Sequence, residues 1–204
     1  MHPLGLLYLT YLIAVASPGP SNMAIMGAAM NQGRAAGVAL ALGVLTGSLF
    51  WAGLAAAGIA TLLTRYAEAL TVLRIGGGLY LVYLAWKSAK SALSPGGPQI
   101  AGSAPAGRFV HYRRGVLLHL TNPKAILGWV AIMSLGLRPD APAHTLAAIL
   151  LGCGTIGFTV FVGYALVFST RAMANGYRRA RRVVEGTLAA VFGYAGIRLL
   201  LSTP

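Results

Sequence analysis

Lys124 is the only basic residue placed well inside an apolar run of this chain. An ionisable side chain at such depth is costly and marks a functional site by default. A cation held there can pair with a substrate carboxylate. Two blander readings stand beside this one: the side chain snorkels toward the nearer membrane face, or it caps a local carbonyl. Arg114 lies ten residues earlier, about 15 Å along a helix, and a lysine stem covers only part of that.

Lys124 follows Asn122-Pro123. Proline suits the first residue of a helix, with Ser or Asn as the cap before it. Asn122-Pro123 therefore predicts a helix start inside an apolar run, and Ser17-Pro18 predicts another within Ser17-Pro18-Gly19-Pro20-Ser21-Asn22. Such prolines break the hydrogen-bond ladder of a helix. In lipid the break is tolerated only where protein or a water-filled cavity receives the freed backbone groups. Each new helix start carries unpaired N–H groups and a partial positive charge. If the two starts face each other, they and Lys124 form an anion site, most simply for a carboxylate. The candidate substrate-binding residues are Ser17, Pro18, Gly19, Pro20, Asn22, Asn122, Pro123 and Lys124.

Other polar residues lie at the same depth. Asn22 is one turn past Pro18, and His119 is one turn before Pro123. Both can face the cavity and bond a substrate amine or hydroxyl. An unpaired imidazole in lipid is costly, and His119 is the one obvious intramembrane group able to titrate near neutral pH. Thr46, Ser48 and Thr121 can line the same cavity or act as interhelical glue. For Thr46 and Ser48 the second reading is preferred.

The elements that must position these groups follow from composition. Of 204 residues, 57% are hydrophobic and 9% charged, against about 25% charged in soluble domains. Too few charges remain to cover a water-facing surface, so the chain is an integral membrane protein in the lipid bilayer. The net charge of +13 sits at the ends of apolar runs, which favours membrane orientation over nucleic acid as its cause. Cys153 is the single cysteine, which excludes an intrachain disulfide and a cysteine metal cluster. The first apolar run lacks a basic leader and an A-x-A-like cleavage site, so it reads as a span rather than a signal peptide.

A spanning helix needs roughly 20 mostly apolar residues. On that scale six transmembrane helices are predicted, over about 4–30, 36–63, 70–89, 115–137, 146–168 and 183–201. Helices 1 and 4 contain the proline motifs. Residues 1–93 form the first three-helix half, 94–114 a cytoplasmic linker rich in Pro and Gly, and 115–204 the second half. The arginine-rich stretch from Arg171 to Arg182 is predicted as a loop. With six spans, the turn at Arg34, the linker and this loop share one side, and positive charge places that side in the cytoplasm. Both termini then lie on the non-cytoplasmic side.

Three helices are an odd number, so a second copy of the first half has inverted topology. Ser17-Pro18 matches Asn122-Pro123, and Gly43, Gly47 and Gly53 resemble Gly152, Gly157 and Gly163. Inverted repeats with broken helices in corresponding positions are a transporter pattern, with the site near the midplane. Gly33-x-x-x-Gly37 and Gly43-x-x-x-Gly47 allow close helix approach. They serve intrachain packing or a homodimer equally well.

With these residues in view, the chain resembles the LysE/RhtB family of amino-acid exporters, the lysine exporter and homoserine-threonine efflux type. The resemblance rests on Pro18-Gly19-Pro20, the two glycine patterns, Gly78-Leu79-Tyr80-Leu81 through Trp86-Lys87, and Gly115 through Asn122-Pro123-Lys124-Ala125. It extends over nearly the whole chain. It implies export of amino acids or close derivatives from the cytoplasm, driven by the proton gradient, across the plasma membrane (the bacterial inner membrane). Family members often carry an acidic residue near Thr46 to Ser48, and this chain has none there. His119 stands where many members have a polar amide. The three acidic residues, Glu68, Asp140 and Glu185, lie near helix ends. With no buried acid to neutralise a basic side chain, a neutral amino acid is the expected substrate, and His119 is the candidate for proton coupling.

The resulting expectation is an all-α membrane protein, a secondary transporter without cofactor or metal site. Efflux of another small solute or a metal ion is a second reading, although no His, Cys, Asp and Glu cluster favours metal. A membrane enzyme lacks its catalytic set, since His119 and Thr121 have no carboxylate orienter. A scaffold without transport has no use for interrupted helices.

Overall fold

A computed structural model describes residues 3–17, 19–59, 107–136, 142 and 144–201, with 75, 79, 82, 83, 85, 86 and 88–94. Among the described residues every regular element is helical. In order these are α1 (Pro3–Ala16), α2 (Pro20–Gln32), α3 (Arg34–Leu54) continued by a π-helical turn Ala55–Ile59, α4 (Arg108–Leu120), α5 (Pro123–Gly136), α6 (His144–Phe168) and α7 (Arg171–Leu201). The described positions from 75 to 93 are helical as well. Most of the third predicted helix and of the linker, and Arg65, Glu68, Arg74 and Arg138 to Ala141, lie outside the described residues.

The chain divides into two compact units, Met1–Thr61 with Ala104–Arg171, and Leu62–Ser103 with Ala172–Pro204. In the first unit two helices are each long and apolar enough to cross a bilayer: Arg34–Gly58, with mean hydropathy 1.9, and His144–Phe168, with 2.1. The shorter helices reach that length as pairs. The axes of α1 and α2 differ by 54°, and those of α4 and α5 by 61°. The molecule is thus an all-helical, multi-pass membrane protein. In the second unit, Tyr177 on α7 donates to Glu185 at 3.1 Å, and Glu185 and Leu188 are buried. The expectation that Glu185 lies near a helix end and that the chain has no buried acid is corrected, because α7 starts twelve residues earlier than expected and places Glu185 mid-helix.

Two helix starts come earlier than the sequence predicts. The fourth predicted helix, expected from 115, begins at Arg108, so the end of the expected linker is helical. The sixth, expected from 183, begins at Arg171, so the expected basic loop is the first third of a 31-residue helix. The reason is shared. Arginine is a good helix former, and an apolar-run criterion finds where a helix enters lipid, not where it starts.

Between α2 and α3 the chain turns at Gly33, whose φ of 87° lies in the left-handed region that favours glycine. Three of the pattern glycines, Gly37, Gly43 and Gly47 of α3, are occupied within the chain. A Cβ on Gly37 would meet Ala29 of α2 at 2.7 Å and Ala165 of α6 at 3.3 Å. One on Gly43 would run into the carbonyl of Tyr112, one on Gly47 into Cβ of His119, and one on Gly115 of α4 into the carbonyl of Leu40. Lipid is as apolar as the side chains, so close backbone approach, not hydrophobic burial, holds such helices together. The α3–α4 contact is built that way, and it fixes His119 of α4 against α3.

Two apolar clusters flank this contact. One joins Leu7 and Tyr11 of α1, Trp129, Ile132 and Met133 of α5, and Ile149 and Cys153 of α6. The other joins Ile25 of α2, Leu40 and Val44 of α3, and Phe161 and Ala165 of α6. The space between the helix ends at 16–20 and 120–123 lies among them.

Candidate functional site

An α-helix leaves its last carbonyls without intrahelical donors. At the end of α1 side chains supply the donors. Ser17 Oγ donates to the Ala14 carbonyl at 2.8 Å. Asn22 Nδ2 donates to Val15 O at 2.9 Å and Ser17 O at 3.1 Å. Tyr164 of α6 donates to Ala16 O at 2.8 Å. Lys124 Nζ reaches across from α5 to donate to Ser17 O at 2.9 Å and Ser17 Oγ at 2.7 Å. A cation is well placed at this end, where the helix dipole is negative.

The two helix starts differ from each other. Asn122 caps α5: its Oδ1 accepts from the Lys124 N–H at 3.1 Å, and its carbonyl accepts from the Ala125 N–H at 2.9 Å. The first free N–H groups of α5 are therefore already taken by Asn122, and the positive charge offered there is the Lys124 ammonium. At α2 the expectation of Ser17 as cap and Pro18 as first helical residue is corrected. The cap is Gly19, in extended backbone, with Pro20 in the first helical position and Met23 N–H donating to Gly19 O at 2.9 Å. Ser17 directly follows α1 and continues its hydrogen-bond ladder, its N–H donating to Ile13 O at 3.0 Å. Pro18 itself lies outside the described residues.

These groups border one cavity of about 70 Å³, lined from α1 by Tyr11, Ala14 and Val15 and from the α2 start by Gly19, Ser21 and Asn22. Its other walls are His119 and Asn122, the α5 face from Lys124 to Ile132, Ser48 and Phe161. A single water needs about 10–15 Å³ on this measure, so the space holds several waters or a small solute. His119 shares a 2.9 Å hydrogen bond with Ser21 Oγ through Nδ1, and Asn122 Nδ2 donates to the same oxygen at 3.3 Å. Phe161 meets the imidazole edge-on, with ring centroids 5.8 Å apart. Trp129 Nε1 donates to Ser48 Oγ at 2.9 Å, and its ring lies 5.3 Å from that of Tyr11. Asn22 is 3% exposed, and its Oδ1 has no hydrogen-bond partner among the described residues.

Of the sequence candidates, Gly19, Asn22, Ser48, His119, Asn122 and Lys124 line this cavity. Ser17 holds Lys124 from behind, and Pro20 and Pro123 start the helices that border it. Thr46 is elsewhere: it is exposed, donates to Leu42 O and accepts from Tyr112. Thr121 is exposed and bonded to the carbonyl of Leu117. Sequence reasoning did not single out Ser21, Tyr11, Gly128, Trp129 or Phe161. The 125, 129 and 132 positions carry a helical spacing that could have marked one α5 face. Nothing in the sequence signals Tyr164 as the donor to Ala16.

The arrangement offers a lysine ammonium anchored at Ser17, a second polar wall at Asn22, Ser21 and Asn122, and aromatic and small apolar walls. None of the described lining residues is acidic. It has the means to hold a small solute bearing both a negative group and a donor, and no nucleophile–base–carboxylate set.

The chain is 33% identical to the uncharacterized membrane protein YahN of Escherichia coli K12, over 98% of this chain and 91% of that protein. It is 29% identical to the threonine efflux protein of Salmonella typhi, over 95% of each chain. With the leucine efflux protein of Salmonella choleraesuis it shares 29% identity over 83% of this chain and 81% of the relative. No solved structure matches it. The family model described as LysE type translocator matches residues 12–203, so this chain belongs to the LysE type translocator family.

Proposed function

We propose that this protein is a secondary transporter that exports neutral amino acids or close derivatives from the cytoplasm. The observation that carries the reading is that one cavity is lined both by Lys124, whose ammonium is held at Ser17, and by Asn22, whose buried Oδ1 has no partner among the described residues. The ammonium takes a carboxylate and the amide oxygen takes an ammonium or hydroxyl proton, which together describe an amino-acid zwitterion. With no acidic lining residue described, a basic substrate side chain has no counter-charge there, which favours a neutral one. The threonine and leucine efflux relatives agree in substrate class.

Each bent helix pair is taken as one interrupted span, giving six spans in two inverted three-helix halves with both termini outside the cytoplasm. The matching positions of the two interruptions and the cytoplasmic bias of arginine support this. Proton coupling is assigned to His119. Asn122 donates to Ser21 Oγ, so the Ser21 proton is the one available to His119 Nδ1. A proton arriving on Nδ1 reverses that bond and frees the serine proton toward the cavity.

The test is efflux of labelled threonine, leucine and lysine from proteoliposomes holding the purified protein, with and without an imposed pH gradient. Export of the neutral substrates accelerated by the gradient, with lysine retained, is expected. Retention of every amino acid tried under both conditions contradicts the reading.

A further inference from the structure

We propose that Gly128 sets the size limit on the substrate side chain, an inference that rests on the amino-acid reading above. Lys124, Gly128 and Ile132 follow one another at four-residue spacing along α5, and all three line the cavity. They fall on one helix face, about 6 Å apart per step. A substrate whose carboxylate sits at Lys124 therefore extends its side chain past Gly128.

The walls around that point are built to stay in place. Trp129 is tied to Ser48 and packed on Tyr11. Phe161 is set edge-on against His119, which is tied to Ser21. Two glycines line the cavity, and they differ. A Cβ on Gly19 would meet Lys124 Nζ at 3.3 Å and its Cδ at 3.5 Å, so the space beside Gly19 is filled by the lysine stem. A Cβ on Gly128 would meet no atom of the described residues within 4 Å. The room beside Gly128 is thus cavity room. Glycine in a helix interior costs stability relative to alanine, and here that cost leaves a gap that no other described side chain fills.

The experiment is a series Gly128→Ala, Gly128→Val and Gly128→Leu, each reconstituted and assayed for binding and efflux of glycine, alanine, threonine, leucine and phenylalanine. Alanine at 128 is a better helix former than glycine, so the first variant is readable even if the larger ones fold poorly. Gly163→Val serves as control, because Gly163 of α6 also has nothing within 4 Å of its Cβ position and is not a lining residue. A methylene's worth of misfit in an apolar pocket changes discrimination by about tenfold or more. The expected result is a stepwise loss, from Ala to Leu at 128, of leucine and phenylalanine transport relative to alanine by about tenfold per step, while Gly163→Val keeps the wild-type profile. A change uniform across the five substrates, no change in the profile, or the same shift in Gly163→Val overturns the proposal while leaving the amino-acid reading intact. A wild-type protein that binds none of the five overturns both.

Discussion

Replacing Lys124 with methionine separates its two jobs, capping α1 and holding substrate. Consider first the empty site. The variant removes donors to Ser17 O and Ser17 Oγ. Ser17 O keeps Asn22 Nδ2 at 3.1 Å, and Ser17 Oγ still donates to Ala14 O. No backbone acceptor is orphaned, so the loss is on the scale of a net charged hydrogen bond, about 1.5–3 kcal/mol. Against it stands the removal of a buried cation that has no described carboxylate partner, which costs several kcal/mol to keep there. The two nearly cancel, and a net change within about 1 kcal/mol shifts Tm by roughly 2–4 °C in a chain of this size.

Binding behaves differently. Truncating one partner of a buried charge pair costs about 2–5 kcal/mol, which at 1.4 kcal/mol per tenfold is roughly 30- to 4,000-fold in Kd. Titration calorimetry with threonine and leucine, alongside thermal unfolding of the same detergent-purified sample, reads both quantities. A Tm near wild type with affinity reduced at least thirtyfold is expected. The opposite pattern, a Tm lowered by 10 °C or more with Kd within threefold of wild type, would make Lys124 a structural cap and refute the assignment.

Asn22→Ala should lower Tm by about 2–10 °C, because Val15 O loses its described donor and a buried unpaired carbonyl costs about 1–3 kcal/mol; it should weaken binding as well, through the lost Oδ1. Gly115→Leu should abolish folded protein in a fluorescence size-exclusion assay, since its Cβ runs into the Leu40 backbone, whereas Gly53→Ala, with open space around its Cβ, should match or exceed wild type. His119→Gln keeps a group able to bond Ser21 but removes the only imidazole among the described lining residues; efflux in proteoliposomes should persist while its acceleration by an imposed pH gradient is lost.

Helix starts set by local chemistry were legible in the sequence. Proline fixes φ, and an Asn cap serves an N–H only two residues on, so the α5 start at Pro123 with Asn122 as cap required no tertiary knowledge. The same rule misplaced the α2 start because two prolines compete there. Ser17 is drawn to α1 by Ile13 O and to Lys124 across the chain, leaving Gly19 to cap. The lysine was legible as a site because lipid makes a buried cation conspicuous. Its partner was not, because 107 residues separate Ser17 from Lys124. Likewise the small-residue patterns announced close packing but not with what; the mate of Gly43 and Gly47 is α4, not a second chain's helix. Composition said how many groups lie in lipid, and only the packing says which of them satisfy each other.

That mutual satisfaction bears on transport. Ser17 O is shared, accepting from Asn22 Nδ2 within its own segment and from Lys124 Nζ on α5. Of these bonds, the two from Lys124 tie the end of α1 to the start of α5, whereas the Asn22 bonds tie α1 to α2. On the reading proposed above, a substrate carboxylate competes with Ser17 for the Lys124 ammonium. Capturing it weakens the α1–α5 tie and leaves the α1–α2 tie whole. A ligand shifts a conformational equilibrium only by its differential contacts with the two states, and this exchange supplies one. On that reading an empty site keeps the Lys124–Ser17 bonds, and an occupied one trades them for the substrate's. In Lys124→Met the tie is gone without substrate, so protease or thiol-labelling access to residues near the α1–α5 junction should no longer respond to added amino acid.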